Sequence, residues 1–365
     1  MLFRSYPEKE ILLTDIADVT YLCLNSENDD FLYRGGISSI TKNTIVVSDR
    51  FLGNGNILLF SKEGNPKSRF NNKGQGSTEY LDAHRVIYDE ESDEVFVYSI
   101  SGGIKVYSST GEFKRKVALP EEFGSNSVYS FDNESLLLYD ALVVLPGKKR
   151  EVIEETDYPT KYYSHPFVLI SKVDGKVLDY VKLPSNETEL IYYVDETAVR
   201  ILTNPVINTE KGFLLCNPET DTVFLYDKNK VLTPVICKTP LVKDLNPMVI
   251  MNNCLDFEEY QFMDIITVQY MPEMSPVYPI KYLIRNKKTG EVYRQKIILP
   301  DYKDKEFIIG NRVSKIYEEG VFFELELLEL KQAYNENRLF GKLKELVATL
   351  NEYEDNNVFM FVNFK

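Results

Sequence analysis

The 365-residue chain is 44% hydrophobic and 27% charged, which supplies ample apolar surface for a sizeable core. Its formal charge of −14 would repel a nucleic-acid backbone or an anionic membrane surface at long range, so neither is expected as a partner. No apolar run reaches the roughly 18 residues that a membrane-spanning helix requires.

In chain order, Ile11 to Leu13 and Val19 to Leu24 read as a lead-in and a strand separated by Asp15-Ile16-Ala17-Asp18, and a polar loop, Asn25 to Asp30, follows in place of a hairpin partner. An orphan first strand suits a ring whose last sheet is completed by the N-terminus, because closure removes exposed edges. A first unit of strands runs from about Gly35 through Thr44 to Val47, Ile57 to Phe60 and Lys67 to Phe70. The next is the clearest. After the glycine-broken loop Lys73-Gly74-Gln75-Gly76 come four apolar runs, His84 to Tyr88, Glu94 to Ser99, Gly103 to Tyr107 and Glu112 to Val117, with turn formers between them. Short runs rich in Val, Ile, Tyr and Phe, bounded by Gly, Ser and Asp, are strands joined by hairpins. Four of them in about 45 residues make one β-propeller blade.

An apolar strand running into a polar, usually Gly-bearing turn and a second strand recurs from Ile57, Ile104, Phe167, Val223 and Tyr282, and a terminal run, Val358 to Phe364, closes the chain. Five copies and a terminal run predict a six-bladed, all-β propeller of four-stranded antiparallel blades, a single domain over residues 1–365 with its N-terminal segment 11–24 completing the last blade. Val19 to Leu24 is expected to pair with Val358 to Phe364. Two segments break the repeat. Pro146 to Tyr163 is charged and Pro-punctuated and reads as a solvated connection inside the third blade. From Leu328 to Asp355, the residues Leu339, Phe340, Leu343, Leu346, Val347 and Leu350 follow a helical stripe, predicting a helical insertion in the last blade.

The Phe70 to Val117 stretch resembles an NHL-type propeller repeat at Gly74 and Gly76, Tyr80, Val86 to Asp89, Val95 to Val97, and Ile104 to Tyr107 followed by Gly111. Ala83 and Arg85 stand where that repeat has Pro and Gly, so the match is to architecture and carries no ligand. The opening ILLTDIADVTYLCL and the closing helix followed by DNNVFMFVNFK extend the resemblance to the six-bladed propeller proteins common in Bacteroidetes, many of them exported lipoproteins. That resemblance implies an exported protein of the periplasm or cell surface, its leader removed ahead of Met1.

The inventory for chemistry is thin. There is no Trp, so the Trp-bearing propeller motifs are missing, and His84 and His165 are the only histidines, too few for a multi-histidine metal site. No nucleophile elbow, zinc-protease motif or phosphate-binding loop is present. Lys73-Gly74-Gln75-Gly76 has the glycines of a phosphate cradle but no helix with a Lys-Ser or Lys-Thr start behind it, and reads as a propeller loop. Cys23, Cys216, Cys237 and Cys254 are widely spaced; free core thiols are the first reading, with a disulfide or a metal site open. No catalytic residue, metal ligand or cofactor is assigned, and a monomer is expected.

The convergent strand ends at the mouth of a central channel are the default binding site of a ring. The candidates there are Arg34, His84, Arg85, Tyr129, Asn252, Asn311 and Arg312. His84 could serve as an acid or base if Asp82 orients it. Arg85 and Arg312 would suit an acidic or hydroxyl-rich ligand through forked hydrogen bonds. Two functions compete: a non-catalytic propeller binding a glycan or protein partner at the cell envelope, and a metal-dependent, lactonase-like hydrolase or lyase. Asn252 and Asn311 keep the second open, though no acidic residue is placed with them by sequence.

Overall fold

The structure is a computed structural model that describes residues 5–27, 29–33, 35–49, 54–100, 102–120, 127–139, 166–183, 191–194, 197–200, 205–217, 220–241, 244–269, 271–274, 278–310, 315–317 and 320–365, by backbone alone at 191–194, 197–200, 252–254 and 315–316. The chain forms two compact units. The first comprises Met1–Tyr21, Pro184–Thr349 and Phe359–Lys365, the second Leu22–Leu183 and Leu350–Val358. Arg34, Asn311, Arg312 and the charged stretch Pro146 to Tyr163 lie outside the described residues.

The N-terminal segment, expected as one strand with a lead-in, is two strands in two different sheets. These are β1 (Glu8–Leu12) and β2 (Ala17–Cys23), joined by the single turn α1 (Leu13–Ile16). Asp15 and Ile16 belong to that turn, while Ala17 and Asp18 are already strand. Leu13 and Ile16 are buried and anchor the turn.

The second unit holds three four-stranded antiparallel meanders. The first is β3 (Gly36–Ile40), β4 (Thr44–Ser48), β5 (Ile57–Ser61) and β6 (Pro66–Phe70). Then come β7 (Arg85–Asp89), β8 (Glu94–Ser99), β9 (Gly103–Tyr107) and β10 (Phe113–Val117). The third is β11 (Ser127–Ser130), β12 (Ser135–Tyr139), β13 (Phe167–Ser171) and β14 (Val177–Tyr180). Middle strands such as β4 and β12 are buried throughout, as strands covered on both faces must be. Fourth strands alternate: β10 exposes Phe113, Lys114 and Lys116 and buries Val117, which suits a charged outer edge. Neighbouring sheets share a core. Val46, Ile57 and Leu59 pack with Val86, Val95 and Val97 in one cluster, and Phe96, Ile104 and Val106 with Leu136, Leu138 and Val168 in another.

The recurring glycine in the turn between third and fourth strands has a double cause. Gly111 has φ +89°, and a Cβ there would stand 2.5 Å from Cβ of Phe70 in the preceding sheet. Gly175 repeats the arrangement with φ +80° and the Ala118 carbonyl oxygen 1.9 Å away. Backbone conformation and close packing both exclude a side chain.

The first unit adds a hairpin that the repeat does not predict, β15 (Ile191–Val194) and β16 (Thr197–Arg200), and then a fourth meander, β17 (Val206–Thr209), β18 (Gly212–Leu215), β19 (Thr222–Asp227) and β20 (Leu232–Cys237). The fifth is β21 (Val249–Asp256), β22 (Tyr260–Thr267), β23 (Ile280–Asn286) and β24 (Val292–Ile298). Its outer strand also accepts β1 in parallel and the short β25 (Glu306–Phe307). Exposed pairs Glu8–Arg294 (3.4 Å) and Glu10–Lys296 (3.2 Å) line the β1 seam, where solvent and salt screen them. The sixth sheet is β26 (Lys315–Tyr317), β27 (Gly320–Leu325), β28 (Val358–Phe364) and, outermost, β2. The chain is thus an all-β propeller of four-stranded blades, and its two ends pair in the last of them as expected.

Between β27 and β28 the predicted single helix is two, α2 (Leu327–Asn335) and α3 (Gly341–Thr349). Asn337 and Gly341 take φ of +57° and +53°, values that interrupt a right-handed helix. Leu339 and Phe340 therefore sit in the break. Leu339 is buried and bridges Tyr302, while Phe340 faces solvent; Leu343 and Val347 keep the buried stripe.

A buried Asn356 organises the approach to β28. Its Nδ2 donates to the carbonyls of Leu24 (2.9 Å) and Phe31 (3.1 Å), its Oδ1 accepts the Tyr33 amide (3.0 Å), and its own carbonyl accepts the Cys23 thiol (3.2 Å). Replacing Asn356 with Ala strands three main-chain groups away from water. We expect a loss of about 3 kcal/mol, read as a shift in the urea midpoint; an unchanged midpoint would show that water replaces the amide.

Candidate functional site

In the second unit, β7 and β11 are adjacent first strands, and they bring two of the sequence candidates together. The Arg85 guanidinium carbon lies 5.0 Å from the centroid of the Tyr129 ring, within the range of a cation–π contact worth about 0.5 to 2 kcal/mol. Among the described residues no carboxylate pairs with Arg85. His84, the third candidate, packs its ring edge-on against Tyr98 at 5.9 Å and 77°. Asp82 meets His84 through the main chain: its Oδ1 accepts the backbone N–H of His84 at 3.1 Å. That carboxylate closes a turn.

The glycine loop ahead of β7 has the donors of an anion cradle, and the chain fills it itself. Glu79 Oε2 accepts the Gly76 amide at 2.8 Å, and a Cβ on Gly74 would stand 2.0 Å from the same oxygen. The loop is hung from below by Lys105, whose ammonium donates to the carbonyls of Glu79 and Gly76, and by Tyr107, whose hydroxyl donates to Thr78 at 2.7 Å. Burial, with Lys116 nearby, holds the Lys105 ammonium below its ordinary range. Tyr80 completes the fixing by donating to the Gly55 carbonyl at 2.5 Å. An internal carboxylate in the cradle leaves no place for a phosphate.

In the first unit, Asn252 is the extra residue of a β-bulge in β21, where Met251 opposes Ile265 and Asn253 opposes Asp264. Asp264 is buried, and a Cβ on Gly310, the residue before Asn311, would stand 2.6 Å from its Oδ1. A buried acidic residue thus stands across from the bulge in β21 and against Gly310. Sequence reasoning missed it because Asp264 sits in the middle of the apolar strand YQFMDIIT. Among the described residues, no group of three or more His, Cys, Asp and Glu is placed to hold a metal ion. Cys216 is pushed up to about 11 by burial, opposed by Lys238. Cys23 is pushed up to about 12, again chiefly by burial. Both are neutral thiols at neutral pH, and neither is an activated nucleophile. With Cys237 they are free.

A cavity of about 320 Å³, which sequence reasoning also missed, opens where α2 follows β27, floored by Tyr302, Phe307, Phe323 and Leu330. Glu306, Glu324, Glu326 and Glu329 line it, and Lys305 reaches Glu329 at 3.2 Å. The signal was present as the alternation ELELLEL from Glu324, whose acids fall on one side of the β27 to α2 junction.

Residues 2–163 match a protein family described as a 6-bladed beta-propeller. No curated protein matches the chain in sequence. Among solved structures, the chain is similar to a protein of Bacteroides fragilis named as a candidate exported protein, with 16% identity, a TM-score of 0.62 and 98% of each chain covered. At that identity the likeness shows the fold alone. Weaker likenesses, with TM-scores of 0.41 and 0.39, are to the WD40 repeats of RRP9 (8% identity, 99% of each chain) and to virginiamycin B lyase of Staphylococcus aureus (12% identity, 84% of this chain and 95% of that one). Neither bears on function.

Proposed function

We propose that the protein is an exported, non-catalytic propeller that binds a glycan or protein partner at the cell envelope through the end of the second unit where β7 and β11 begin. The observation that carries this is the Arg85–Tyr129 stack. A guanidinium held against a ring keeps its in-plane N–H groups for an acceptor and loses little freedom on binding. Arg and Tyr are also the side chains enriched where binding energy concentrates. A catalyst needs a nucleophile or base held in register with its partner; the contacts beside this pair are packing and turn closure. His84 lies against Tyr98, and Asp82 is engaged by the main chain. The likeness to a candidate exported protein supports the location.

Replacing Arg85 and Tyr129 together with Ala is expected to weaken binding to any glycan or peptide recovered from an array at least tenfold, about 1.4 kcal/mol. The melting temperature should fall by only a few degrees, since the contact removed is worth about 0.5 to 2 kcal/mol. Undiminished binding by the double variant would remove this end of the unit as the site. Release of product from a lactone or glycan panel would replace the binding role with catalysis.

A further inference from the structure

We infer that the ligand read by Arg85 is a protein segment that carries a carboxylate beside an apolar side chain. This rests on the binding role proposed above and narrows it. The chain has 56 acidic residues against 42 basic ones, and Arg69, Arg115, Arg294 and Arg338 each pair with an Asp or Glu. Arg85 is half-buried on Tyr129, and no carboxylate of the described chain reaches it. A stacked, partly desolvated guanidinium without an anion is a strong place to receive one, because charge-assisted and bidentate bonds are the strongest available there.

The apolar half of the site comes from the neighbouring turn. Arg85 stands opposite Tyr98 across β7 and β8, and Ile100 follows two residues later, 62% exposed. Leu81, 39% exposed, belongs to the same surface. Ser99 Oγ donates to the Asp82 carbonyl at 2.5 Å, and Leu81 Cδ1 lies 3.8 Å from where a Cβ of Gly102 would stand. The run into β7 and the turn out of β8 are thereby fastened together, with a branched aliphatic side chain exposed on each.

This pairing favours a peptide over a sugar. A pyranose ring presents C–H groups that stack on a flat aromatic face, but one face of Tyr129 is covered by Arg85, and Tyr98 is buried. What remains open is Ile100 and Leu81, which gain by removing another apolar side chain from water. An Arg with apolar neighbours is also the composition of a protein–protein contact core.

The test uses the full chain on two surfaces. One is an array of 12-residue peptides graded in Asp and Glu content and in Leu, Ile and Phe content, the other an array of neutral and uronic-acid glycans. The chain should select peptides with an acidic residue next to Leu, Ile or Phe. Arg85→Gln should lose at least tenfold on these peptides and Ile100→Ser about threefold, both variants still melting cooperatively within a few degrees of the parent. Replacing the peptide's acid with Ala should cost nothing further in Arg85→Gln. Binding confined to uronic-acid glycans and lost in Arg85→Gln would keep the binding role and overturn the protein ligand. Peptide binding that is indifferent to Arg85→Gln would overturn the inference, and no Arg85-dependent binder on either array would overturn both.

Discussion

A chain lacking residues 1–25 is expected not to unfold cooperatively at all. The deleted segment buries Ile11, Leu13, Ile16 and Leu24 at 7%, 0%, 5% and 0% exposure. At about 1.5 to 3 kcal/mol for each buried side chain, that is about 6 to 12 kcal/mol, comparable to the whole stability of a typical domain. Polar losses add to this. Asn356 loses its acceptor at Leu24, and Lys365 loses the carbonyls of Thr14 and Ile16. Removing β2 also bares the ladder edge of β28, the feature that ring folds exist to hide. Deleting residues 1–12 alone removes β1 and, among the described residues, one buried side chain, Ile11. That smaller truncation should still melt cooperatively, only a few degrees lower. A melt of the 1–25 deletion within two degrees of the parent would show that β2 does not hold the last blade together.

What was legible in the sequence follows from what periodicity can carry. Strand after strand was visible because Thr44–Val47, Val95–Val97 and Ile104–Tyr107 are short apolar runs between turn formers, and Gly111 and Gly175 marked turns that only glycine fits. The pairing of chain ends was legible from the missing hairpin partner after β2. The parallel addition of β1 to the fifth sheet was not, since Glu8, Lys9 and Glu10 carry no apolar alternation and are held by cross-strand charges. The two-helix insertion escaped because a helical stripe runs on past Asn337, whose left-handed backbone leaves no trace in hydrophobicity. Of the candidate residues, Arg85 and Tyr129 meet because they lie on adjacent first strands. Asp264 and the cavity beside α2 depend on contacts between distant segments, which spacing along the chain does not encode.

The other large effect is expected at Lys172, just after β13, whose side chain is 4% exposed and pairs with Asp89 at 2.6 Å. Around it, Arg115 grips Glu94 with both terminal nitrogens at 2.5 and 2.7 Å and donates to the Lys172 carbonyl at 2.9 Å. The Lys172 ammonium and the Arg115 guanidinium lie 5.6 and 5.8 Å from the Phe96 ring centroid. This knot fastens the β7–β8 hairpin to the β13–β14 turn of the next sheet. Lys172→Met leaves the Asp89 carboxylate buried without its cation and should cost about 3 to 5 kcal/mol in urea unfolding. Adding Asp89→Leu should restore most of it, because the cost is the uncompensated charge and not the absence of attraction. Equal losses in the single and double variants would assign the effect to packing instead. The second ion pair sets an acid limit. The hydrogen bond from Arg115 holds the Glu94 carboxyl below its ordinary 4.5, so its contribution is present above about pH 4.5 and is lost as pH falls through the lowered value. Arg115→Gln should flatten the fall in stability below about pH 4.5 relative to the parent, and an unchanged slope would place the acid sensitivity at other carboxylates.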